Sequence, residues 1–162
     1  MNYFELFHLP VQFELDAEQL KKTYHVLQKT VHPDNYAMSS SYEKKLSVQK
    51  TALINDAYRV LLSDILRAEY LLMLKGVVLP DEKETMQDNV FLMLQMEMHE
   101  QVNEAEDAQQ ILELLSQIGS HQQDLLLALS RELKGDTLIS CFALINKLKF
   151  FNKLERTLKD KL

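Results

Sequence analysis

His32-Pro33-Asp34 sets an imidazole two residues from a carboxylate, a pairing that can serve as a general base and the group that orients it. That chemistry has nothing to work through here. The pair lacks a nucleophile, and the chain has no glycine-rich phosphate loop. Its one cysteine, Cys141, excludes both a disulfide framework and a multi-cysteine metal site. His8, His99 and His121 stand isolated and read as surface or packing residues. No catalytic residue, metal ligand or cofactor is therefore assigned, and the chain does not read as an enzyme.

The elements around the tripeptide give it another meaning. Leu20, Tyr24, Leu27 and Val31 recur at spacings of four, three and four, which is one face of a helix over 16–31. Asp16 is placed to cap its start, with Gln19 where a capping box wants it. Lys21, Lys22, His25 and Lys29 fall away from the apolar stripe as a basic strip. Such a strip is either a solvated face or a surface that steers docking onto an acidic partner. Pro33 pushes His32 out of the α region, so the helix ends at Val31 and the tripeptide sits in a loop. A second helix begins near Tyr42, with Leu46, Leu53, Ile54, Ala57, Tyr58, Leu61 and Leu62 as a broad apolar face. The short connection demands an antiparallel pair. A short apolar helix over 2–9, stopped near Pro10, and another over 65–74, ended by Gly76, flank that hairpin.

Residues 77–87, with Pro80, form a short linker, which divides the chain into domains 1–76 and 88–162. The second domain shows three amphipathic patterns, over 88–104, 108–133 and 137–161, with Gly135-Asp136 at the last turn. They predict an antiparallel three-helix bundle. The fold class is all-α throughout. In the first bundle helix Phe91, Leu94, Met98, Val102 and Ala105 form one stripe, while Leu92, Met93 and Met96 lie beside it, continued by Glu97, Glu100 and Glu104. Two readings stay open for the second set: a wide core face, usual for methionines at helical spacing, or an exposed docking site rimmed by carboxylates.

Composition narrows the class. Net charge is −6, which gives no overall case for nucleic acid or an anionic membrane. Three Gly and three Pro in 162 residues favour helix almost everywhere. No apolar run approaches the ~20 residues that span a bilayer. The N-terminus lacks a basic segment followed by an apolar one, so a soluble cytoplasmic protein is expected. Acids dominate 81–113 and bases dominate 131–162, which fits either attraction between neighbouring helices of the bundle or a role in choosing partners.

A His-Pro-Asp corner between two antiparallel helices, the first of them basic, resembles a J-domain, the module that stimulates ATP hydrolysis by seventy-kilodalton heat-shock chaperones. The whole chain is similar to the HscB family, J-type co-chaperones of bacterial iron–sulfur cluster assembly. Tyr3-Phe4-Glu5-Leu6-Phe7 with Leu9-Pro10, the tripeptide, Arg67-Ala68-Glu69-Tyr70-Leu71-Leu72, Phe91-Leu92-Met93 and Lys147-Leu148-Lys149-Phe150 carry the likeness across both domains. Asn35 departs from it, standing where J-domains often have lysine.

The resemblance implies a mechanism and its residues. His32, Pro33 and Asp34 with Lys21, Lys22, His25 and Lys29 would bind an HscA-type heat-shock chaperone, Asp34 accepting charge-assisted hydrogen bonds from an arginine there. Leu92, Met93, Met96, Glu97, Glu100, Glu104 and Phe150 would hold the scaffold protein IscU, provided that Phe150 packs next to the first bundle helix. A J-protein serving a general DnaK-type folding chaperone, with the bundle binding clients, is the alternative function of the same architecture.

Overall fold

Short polar side chains start almost every helix. In the computed structural model, which describes residues 1–78 and 88–162, Asn2 opens α1 (Tyr3–Leu6) in a capping box with Glu5, and Asp16 Oδ1 accepts from Glu18 and Gln19 N–H at the start of α2 (Ala17–Val31). Ser40 caps α3 (Ser41–Leu62), and Ser63 Oγ accepts from Leu66 N–H in the first turn of α4 (Asp64–Leu74). Asp88 caps α5 (Asn89–Glu104) and Asp107 caps α6 (Ala108–Glu132). Each cap supplies an acceptor to an N–H that the helix leaves without one, worth about 1 kcal/mol. The last helix, α7 (Ser140–Asp160), has no side-chain cap and starts three residues later than its pattern predicts, because Leu138 and Ile139 form a tight turn. Two residues beyond α4, Gly76 takes φ +74°, the left-handed conformation that stops a helix without a Cβ penalty.

The described residues are all-α and divide into two compact units, Met1–Leu74 and Lys75–Leu162. The expected linker falls mostly on residues 79–87, which lie outside the described residues, as do Asp81, Glu82 and Glu84 of the acidic run.

In the first unit α2 and α3 form a hairpin, with α1 and α4 packed on α3. Tyr24 stacks on Tyr58 across it at 3.9 Å, and the Tyr24 hydroxyl donates to Asn55 Oδ1 at 2.8 Å. Phe4, Phe7, Leu20, Ile54, Ala57, Leu61, Leu71 and Leu72 are buried. The apolar face of α3 is narrower than the sequence suggests. Leu53 and Leu62 are exposed, since each is turned about 100° from a neighbour, Ile54 or Leu61, that points inward.

One polar side chain organises this core. Arg67 is 5% exposed. Its guanidinium donates to the carbonyls of Phe13 (2.6 Å) and Leu61 (2.7 Å) and to Asp64 Oδ1 (2.7 Å), and it lies 4.7 Å from the centre of the Phe13 ring. A single planar fork thereby joins the segment before α2 to the α3–α4 corner.

In the second unit Met98, Val102 and Ala105 of α5, Ile111, Leu114 and Ile118 of α6, and Phe151, Leu154 and Leu158 of α7 form one cluster. Toward the α6–α7 turn the core continues through Leu129, Leu133, Cys141, Phe142 and Ile145. Lys161 Nζ donates to the carbonyls of Val102, Asn103 and Ala105, groups that the end of α5 leaves unpaired. The Cys141 thiol is fully buried, and that burial, with the Glu132 charge, pushes its pKa up.

Candidate functional site

The tripeptide begins where α2 stops. His32 has φ −55° and ψ 134°, the extended conformation required before proline. The segment that follows is more regular than a loop: Pro33–Tyr36 makes a single 3-10 turn, with Pro33 at its first position, where the missing N–H costs nothing. The corner is held by short bonds. Asn35 N–H donates to the His32 carbonyl at 3.0 Å, and Asp34 N–H donates to His32 Nδ1 at 3.2 Å.

That last bond bears on chemistry. A carboxylate that orients an imidazole must accept a proton from one ring nitrogen. Here Nδ1 is itself the acceptor of a backbone N–H, so its 3.5 Å approach to Asp34 Oδ2 is not such a bond. The two side chains instead face outward, with His32 55% and Asp34 92% exposed. They border an open cleft of about 900 Å³ lined by His25, Gln28, Lys29, His32, Asp34 and Asn35. His25 and Lys29 thus share the cleft with the tripeptide. Lys21 and Lys22 do not line it; they continue the same exposed face, both about one turn back from His25 along α2. Gln28 was not singled out by its sequence context. It is held there by donating to the Tyr24 hydroxyl at 2.7 Å.

On α5 the two open readings separate. Met98, Val102 and Ala105 are buried, with Phe91 and Leu94 partly so. Leu92, Met93 and Met96 are 53%, 71% and 66% exposed. Glu97, Glu100 and Glu104 are exposed as well. These six residues occupy the outward side of α5, with the carboxylates toward its C-terminal end. Phe150 of α7 is half-buried and meets α5 edge-on, with ring centres 5.5 Å from Phe91 and 5.3 Å from His99. His99 comes from the same exposed side of α5, so it joins a surface that the sequence reading left it out of. Its position three residues after Met96 was the available signal.

The base of this surface is braced. Lys147 Nζ pairs with Asp88 at 3.2 Å and lies 5.2 Å from the centre of the Phe91 ring. The backbone N–H of Phe91 and the Lys147 ammonium together hold the Asp88 carboxyl below the usual carboxylate range. The Asp88–Lys147 pair is one contact of opposite sign between the start of α5 and α7. His121 packs flat on Phe151 at 4.8 Å, the packing role of the two that its isolation left open.

Comparison with known proteins follows the same division. The family model described as the HSCB C-terminal oligomerisation domain matches residues 87–159. The co-chaperone protein HscB homolog of Vibrio cholerae is 40% identical over 159 residues, covering 96% of this chain and 93% of that one. Among solved structures, the chaperone HscB from Vibrio cholerae superposes with a TM-score of 0.89 at 38% identity, covering 99% and 96% of the two chains. The human co-chaperone protein HscB does so with a TM-score of 0.92 at 31% identity, covering 99% and 82%. The likeness spans the tripeptide hairpin and the bundle together, and on that ground the chain belongs to the HscB family of co-chaperones.

Proposed function

We propose that this co-chaperone stimulates the ATPase of an HscA-type heat-shock chaperone and delivers the iron–sulfur scaffold IscU to it. The first domain, 1–76, is the J-domain of this reading, and the bundle, 88–162, is its scaffold-binding part. The observation that carries the reading is the exposure of Leu92, Met93 and Met96 on a helix whose opposite side packs into the core through Met98, Val102 and Ala105. A contiguous apolar surface rimmed by carboxylates is a docking site, in which apolar residues supply affinity and the charges set orientation. Phe150 closes that surface from α7.

At the other domain, Asp34 is an exposed acceptor for an arginine of the chaperone, and Lys21, Lys22, His25 and Lys29 give the approach a positive field. No step of ATP hydrolysis is assigned to this chain's residues; its part is to engage the chaperone in the state that hydrolyses. Holding the scaffold on the same polypeptide makes the scaffold's encounter with the chaperone nearly intramolecular.

The test is the ATPase of the matched chaperone with wild-type chain, with His32→Gln and with Asp34→Asn. Wild type should raise the rate, and either variant should abolish that rise while still binding the scaffold. Full stimulation by Asp34→Asn would remove the tripeptide from the mechanism.

A further inference from the structure

The last four carbonyls of an α-helix have no partner inside it. At the end of α2 these belong to Gln28, Lys29, Thr30 and Val31, and the chain must turn away at Pro33 without supplying the backbone donors that a glycine cap would give. Asn35 fills the gap. Its carboxamide Nδ2 donates to the Lys29 carbonyl at 2.6 Å and lies 3.4 Å from the Thr30 carbonyl. Its own N–H donates to the His32 carbonyl at 3.0 Å. One residue therefore closes the corner from both sides of its backbone: the side chain grips the helix that precedes the tripeptide, and the main chain grips the tripeptide itself.

From this geometry we infer that Asn35 is a positioning residue for His32 and Asp34, acting through the donor N–H of its carboxamide. Among the described residues the Asp34 side chain makes no hydrogen bond or ion pair beyond the 3.5 Å approach to His32, and it is almost wholly in solvent. Its direction is set by the 3-10 turn, and the turn is fastened to α2 by Asn35. A lysine here would bring a charge that also suits the carbonyl end of a helix. Asparagine achieves the hold with a short neutral donor, so the contact survives at salt concentrations that screen charge. The inference rests on the reading that the tripeptide stimulates the chaperone.

The test replaces the donor while keeping the shape. Asn35→Asp is isosteric, cannot donate, and places a carboxylate against carbonyl oxygens; Asn35→Lys restores a donor. For each, ATPase stimulation is titrated to saturation, giving the maximum and the half-saturating concentration separately, alongside a thermal melt and scaffold binding. Asn35→Asp should lower the maximal stimulation roughly five-fold, the factor set by one hydrogen bond's net worth, with scaffold binding unchanged and melting lowered only by the few degrees that the same bond is worth. Asn35→Lys should recover the maximum. A loss confined to the half-saturating concentration would make Asn35 a contact residue and overturn the positioning role, and so would a loss that lysine fails to rescue. Wild-type stimulation abolished by Asp34→Asn but matched by Asn35→Asp overturns the inference about Asn35 alone. Wild type without stimulation overturns the functional reading, and the role of Asn35 with it.

Discussion

Arg67 shows what a single side chain can fix in a small helical domain. Its guanidinium satisfies two backbone carbonyls and one carboxylate while nearly out of contact with water. Replacing it leaves the Phe13 and Leu61 carbonyls buried without a donor, so Arg67→Ala should destabilise the first unit by about 3 kcal/mol or more. Arg67→Lys should recover little, because an ammonium cannot reproduce the planar fork. Chemical denaturation of the two variants checks both statements, and a lysine variant of wild-type stability would show that charge alone suffices. At this scale the sequence was legible unevenly. The caps at Asp16 and Ser40 are short polar residues just before a periodic run, and Asp16 was read from that signal. The Arg67–Asp64 pair is an ordinary i,i+3 spacing, and nothing local announces that its arginine is buried. The grip of Asn35 on α2 spans six residues through a turn whose regularity proline rules alone do not reveal.

Helix α5 carries two apolar surfaces, and the difference between them is measurable. Leu92 and Met96 are exposed, so Leu92→Ala with Met96→Ala should leave the melting temperature nearly unchanged while weakening scaffold binding by about 2 kcal/mol or more. Phe150 is different, because it also packs against the bundle core beside Phe91 and Phe151. Phe150→Ala should cost binding and some stability together. Calorimetry and titration of the two variants separate these contributions; early melting by the double variant would return Leu92 and Met96 to the core. Periodicity located the buried stripe through Met98, Val102 and Ala105. It could not decide the fate of the flanking residues, because burial there depends on how far α6 and α7 wrap around α5, a tertiary quantity. The start of α7 was misplaced for a related reason. Leu138 continues the apolar stripe of Cys141, Ile145 and Leu148, yet the backbone of Leu138 and Ile139 is used for the turn.

For the whole molecule, acid should act on the bundle through its paired carboxylates. Asp88 and Glu155 both titrate below the usual range. Asp88 is held by the Phe91 N–H and Lys147, and Glu155 by Lys159 and Gln122. A carboxyl whose folded pKa is depressed stabilises the fold at pH above its unfolded value, about 4. That contribution disappears as pH falls through the lower folded value. Melting of the chain should therefore fall off below about pH 4, and Asp88→Asn with Glu155→Gln should flatten that fall. Equal acid sensitivity of the double variant would assign the loss to other groups. The all-α class was readable from composition and period, and the hairpin from the proline between two apolar stripes.

Cys141 is the only thiol in the chain, and it lies in the core of the second unit alone. A thiol-specific reagent can reach it only when the core around it opens, and burial also disfavours the reactive thiolate. The rate of labelling is thus a clock for opening of the core around Cys141. If the bundle holds a scaffold on the outer face of α5 as proposed, binding would slow that clock by stabilising the closed bundle, so one native side chain would report on a partner it does not touch.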